Sequence, residues 1–141
     1  MTAPDDRLVA WGDELVKLHD GFRRDLAELR RSRSLGPSLR EHCLTFCEAL
    51  HAHHTGEDDV LFPHLAGAHP ELAEILTRLR SEHRTVARIL AQVRSLSQTG
   101  DRAAIGAELD RLADELEAHL DYEEQQLVPL LNQMTDAPEN L

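Results

Sequence analysis

Two stretches of the chain carry the same chemistry-bearing pattern, His-x-x-x-Glu, as His53/Glu57 and His119/Glu123. In both, a proline (Pro63 and Pro129) stands six residues beyond the glutamate. A lone histidine precedes each pair, His19 by 34 residues and His83 by 36. The chain thus reads as two half-repeats offset by 64 to 66 residues, each supplying one histidine and then a His/Glu pair. Residues four apart share one helix face, so each pair offers two ligands to one spot. Four imidazoles and two carboxylates suit a pair of borderline transition-metal ions, iron above all. Any one of the nine histidines reads more simply as packing or surface. Six such residues on apolar seams, in matched spacing, do not.

The elements that must position these residues follow from periodicity and punctuation. A first helix is expected from Pro4 to Arg31, capped by Thr2, with the stripe Leu8, Trp11, Leu15, Leu18/His19, Phe22, Leu26 and Leu29. Ser34-Leu35-Gly36 breaks it, and Pro37 suits the first position of a second helix, striped Leu39, Cys43, Phe46, Leu50, His53, Glu57 and Leu61. Gly67 and His69-Pro70 end that segment. The third stripe is Leu72, Ile75/Leu76, Leu79, His83, Val86, Leu90 and Val93. Asp101 should cap a fourth helix striped Ile105, Leu109, Leu112, Leu116, His119, Glu123, Leu127 and Leu130. Short connections between four amphipathic helices imply an all-α, up-down-up-down four-helix bundle. It is expected over residues 1–134, with residues 135–141 as a flexible C-terminal tail. Pro63 and Pro129 are expected to kink or stop their helices about a turn and a half past the glutamates.

Composition agrees with one helical domain. The chain has 141 residues, 41% of them hydrophobic and 4% aromatic, enough for a single core. The net charge of −11 argues against nucleic acid or an anionic membrane as partner. The longest apolar run, Leu127 to Leu131, is far short of the ~20 residues that span a bilayer. The polar, acidic first ten residues predict no signal or transit peptide. Cys43 and Cys47 are poorly oriented for a disulfide on one helix; the expectation is a cytoplasmic protein with both thiols reduced.

The chain resembles the hemerythrin-like (HHE cation-binding) family over nearly its whole length. The resemblance rests on His19 in LVKLHDGF, His53 and Glu57 in HHTGEDDVLFP, His83 in SEHRTVARIL, and His119 and Glu123 in HLDYEEQQLVP. It implies a hemerythrin-like bundle holding two iron ions in an oxo- or hydroxo-bridged di-iron centre. Glu57 and Glu123 would be the bridges and His19, His53, His83 and His119 the terminal ligands. The oxygen-carrying hemerythrins have a His-x-x-x-His pair on the third helix, five histidines in all, whereas Leu79 and Ala87 flank His83 here. The last motif is His-x-x-x-Glu rather than their His-x-x-x-x-Asp, and Glu124 stands where it could replace Glu123. Fewer protein ligands leave positions open to small molecules, which favours chemistry over storage of one ligand.

His54 should point about a quarter-turn from His53, as a supporting partner or supplementary ligand. Tyr122, the sole tyrosine, is a candidate catalytic residue if it reaches the cavity. A ferritin-like centre fails on count, because Glu-x-x-His occurs once, at Glu48/His51. The favoured function is catalase- or peroxidase-like turnover of hydrogen peroxide, or reaction with dioxygen or nitric oxide. The alternatives are an oxygen or nitric oxide binding or sensing module and an iron storage or donation protein. Partners would be those small ligands with an unidentified reductant or protein.

Overall fold

The structure is a computed structural model describing residues 11–32 and 37–134. Leu15, Phe22, Leu26 and Leu29 are all buried, the apolar face that docks α1 (Trp11–Ser32) on its neighbours. The next rod has three parts: α2 (Pro37–Gly56), a single π-helical turn (Glu57–Leu61) and α3 (Phe62–Ala68). His69 leaves helical geometry at φ −136°, and a short 3-10 turn (Pro70–Leu72) leads into α4 (Ala73–Thr99). Gly100 closes α4 at φ +76°, a left-handed position that glycine adopts without steric cost. The Asp101 side chain then accepts a hydrogen bond from Ala104 N at 3.0 Å and caps α5 (Arg102–Asn132).

The architecture is an all-α four-helix bundle. α5 packs against α1 and α4, and α2 against α1 and α4, so the two helices of each half-repeat lie side by side and each also meets a helix of the other half-repeat. Gly12 lets α1 and α5 touch: a Cβ there would meet the Val128 carbonyl at 2.5 Å. Arg23 ties the same helices by ion pairs to Glu117, Asp121 and Glu124.

The core divides in two. Phe22, Phe46, Leu50, Val86, Leu116 and Leu120 belong to one apolar cluster. Leu15, Leu61, Phe62, Leu79 and Leu127 belong to the other. On every rod the candidate ligands fall between them: His19 between Leu15 and Phe22, His83 between Leu79 and Val86, for example. The centre is therefore a polar layer sealed by hydrocarbon on both sides.

Several expectations need correction or lie elsewhere. Neither proline stops its helix. Pro63 sits in the first turn of α3, directly after the π turn. Pro129 lies inside α5, which runs on to Asn132. Leu18 is 38% exposed and leaves the stripe to His19. Cys43 and Cys47 are buried free thiols, and burial pushes Cys47 up to about 12. The start of helix one at Pro4, its Thr2 cap, the Ser34–Gly36 break and the tail lie outside the described residues.

Candidate metal centre

All six residues singled out by spacing meet in the polar layer. α1 supplies His19, α2 His53, the π turn Glu57, α4 His83, and α5 both His119 and Glu123. Glu57 and Glu123 are wholly buried, as is His19, while His83 and His119 are 3% and 1% exposed. Imidazole Nε2 atoms face the carboxylates throughout: His53 and His83 lie 3.2 Å from Glu57. His19 and His119 lie 3.5 and 3.3 Å from Glu123.

A seventh residue joins them. His54 is 4% exposed and stacks on His83 with ring centroids 3.9 Å apart and planes 11° apart. The quarter-turn expected between His53 and His54 is real, but both directions point inward. Successive helical residues diverge by about 100°; because α2 lies between α1 and α4, His53 addresses His19 and His54 addresses His83. The doublet was the signal available in the sequence.

Two groups of donors result. His19, His53, Glu57 and Glu123 form one, and His54, Glu57, His83 and His119 the other, with the ligand atoms of each within 4.8 Å of one another. Glu57 is common to both. The fit to metal cations rests on the polar atoms left without a hydrogen bond. Nε2 of His19, His53, His54, His83 and His119 and both oxygens of Glu57 and Glu123 are buried and unsatisfied. Among the described residues only Trp11 Nε1 and Glu108 Oε1 share that condition. Buried polar groups are nearly always paired, so nine orphans converging on one layer fit cations.

The outer ring nitrogens are held from behind. His19 Nδ1–H donates to Glu124 at 2.7 Å, His83 Nδ1–H to Asp58 at 2.8 Å, and His119 Nδ1–H to Glu82 at 2.7 Å. Such bonds fix the tautomer that presents Nε2 to a metal. Glu124 is therefore the support of His19, also paired with Arg23 at 2.9 Å, and not a substitute for Glu123. Asp58 and Glu82 were missed by spacing, since their contacts run between helices. Tyr122 is half-buried with the Arg78 guanidinium 3.6 Å from its ring centroid. Arg78 in turn pairs with Glu82 and Glu82 with His119, which links Tyr122 to the layer through two other side chains, while its own ring packs on the second apolar cluster.

Electrostatics of the metal-free layer follow from burial and neighbours. Burial raises Glu57 well above the carboxylate range, and the charge of Glu123 adds to it. Burial would also raise Glu123, but the Glu57 carboxyl and the His119, His19 and His83 imidazoles close to it hold it well below that range. Burial opposes protonation of His119, yet Glu123 and Glu82 outweigh it and bring it to about 9. His53 falls to about 4, chiefly through burial.

Among the described residues no helix is long and apolar enough to cross a membrane. No curated protein and no solved structure matches the chain. The family model of the hemerythrin HHE cation-binding domain matches residues 12–131, which include all seven converging side chains. With that match spanning most of its length, the chain belongs to the hemerythrin HHE cation-binding domain family.

Proposed function

We propose that the protein holds a non-heme di-iron centre that reacts with hydrogen peroxide, dioxygen or nitric oxide. Catalase- or peroxidase-like turnover of peroxide is the favoured activity. The observation that carries the metal reading is the convergence of nine unsatisfied donor atoms in two groups sharing Glu57. His19, His53, Glu57 and Glu123 would hold one ion, and His54, Glu57, His83 and His119 the other. When bound, two iron ions supply a redox couple suited to two-electron chemistry on an O–O bond.

The chain's own contribution is positioning and exclusion. Asp58, Glu82 and Glu124 hold imidazoles in the ligating tautomer, and the flanking apolar clusters keep bulk water from the layer. The His19/His53 group has one imidazole fewer than the other, so positions for a small ligand fall there. Peroxide consumption by the iron-loaded protein tests the activity, with the catalase balance of one dioxygen released for every two peroxides consumed. Untouched peroxide would defeat it.

A second reading, reversible binding or sensing of dioxygen or nitric oxide, is favoured by His54. It brings the imidazoles of the layer to five, the number that the resemblance assigns to oxygen carriers. A long-lived, reversible oxygen adduct of the reduced protein would select it.

A further inference from the structure

We propose that the two halves of the centre are unequal and fill in order: the His54–Glu57–His83–His119 half takes up a divalent first-row cation first, and the His19–His53–Glu57–Glu123 half second. This rests on the metal reading above and adds to it a sequence of loading.

The repeat makes the comparison direct, because each position of one half-repeat of the chain has a counterpart in the other. The acid following each motif glutamate reaches the lone histidine of the other half-repeat: Asp58 holds His83 and Glu124 holds His19. To that point the halves are equivalent. They then differ twice, in the same direction. The counterpart of His54 is Leu120, which lies in the apolar core, so one half gains a third imidazole and the other gains none. The counterpart of Glu82, the residue before His83, is Leu18, which is 38% exposed. Glu82 holds His119 from behind and is itself fixed by Arg78 at 3.0 Å. No acid stands at the matching place for His53, whose carboxyl neighbour is Glu57 itself, 3.2 Å from Nε2.

Both differences strengthen one half. Borderline divalent ions take imidazole nitrogen readily, and the first half offers three imidazoles where the second offers two, while Glu123 lies 3.3 Å from His119 as well as 3.5 Å from His19. Two of those three imidazoles are oriented by carboxylates, against one of two in the other half. The third, His54, is fixed by stacking on His83. Removing one such supporting carboxylate weakens metal binding by about 10- to 100-fold. Asp58, Glu82 and Glu124 are in this sense positioning residues, two serving the first half and one the second.

The test is an anaerobic titration of the metal-free full chain with cobalt(II), followed by visible absorption and calorimetry. Two resolved steps of one equivalent each are expected. His53→Ala should keep the first step and lose the second, while His54→Ala should weaken the first. Glu82→Gln should weaken the first step by about 10- to 100-fold, Glu124→Gln the second alone, and Glu82→Asp should recover part of the loss. Glu82 and Glu124 have side chains 19% exposed, so these variants serve even if a histidine variant fails to fold. Uptake of both equivalents in one step, or equal effects of Glu82→Gln and Glu124→Gln on both steps, would overturn the order of loading. A folded wild-type chain that binds no cobalt would instead defeat the metal reading itself.

Discussion

His53 and His54 show what a single residue decides in this layer. Adjacent in sequence, they face different neighbours, His19 and His83, because α2 stands between two ligand-bearing helices. His54→Ala should therefore lower the iron content of the purified protein; unchanged iron by elemental analysis would remove His54 from the centre. His119 sets a pH dependence. Metal binds only neutral imidazole, and the metal-free His119 titrates at about 9. Metal affinity should keep rising up to about pH 9 and not level off near the ordinary histidine value of 6.5. For the metal-free fold the sign is opposite. A folded value above the unfolded one gives stability that is full below 6.5 and is lost as pH rises through about 9. Melting curves of the metal-free protein should shift down across that window if His119 dominates there, while affinity climbs. An affinity flat above pH 6.5 would contradict the assignment. At this scale spacing alone picked out six side chains that the structure brings together, because a fixed i, i+4 offset needs no knowledge of partners. Asp58 and Glu82 were not legible, since their contacts depend on how α4 and α5 are rotated against their neighbours.

The elements explain how such residues reach one level. Stripes and turn residues located the four rods, and Asp101 begins the last of them as the cap that the sequence places there. The π turn Glu57–Leu61 was not read from the sequence, because His53, Glu57, Leu61 and Leu65 recur at four-residue steps that an α-helical stripe also shows. It begins at Glu57 and ends at Leu61, which packs in the second apolar cluster, so it sets the phase between ligand and core. Deleting the exposed Asp59 would restore plain helical phase and rotate one side by about 100° against the other. The product should keep its helical circular dichroism and lose metal; retained metal with an unchanged melting temperature would show that the turn is dispensable. The contact at Gly12 is a second element-level constraint. Gly12→Ala forces a Cβ against the Val128 carbonyl and should destabilise the fold by about 1–3 kcal/mol, the usual range for overpacking, as measured by chemical denaturation. A neutral result would mean that α1 and α5 can part without loss.

Across the whole molecule, two hydrocarbon clusters enclose a layer that hydrogen bonds alone do not satisfy. Nine unsatisfied atoms weaken the metal-free bundle, and a ligand that binds only the folded chain stabilises it by mass action, about 4 kcal/mol at a thousandfold excess over Kd. The metal-loaded protein should melt well above the metal-free form, and coincident curves would argue against a buried site. A di-iron centre in this layer would be read from the metal content of the purified protein together with its Mössbauer spectrum. Two irons per chain with the spin coupling of a bridged pair are expected. One tightly held zinc and no iron, or isolated uncoupled iron, would contradict it.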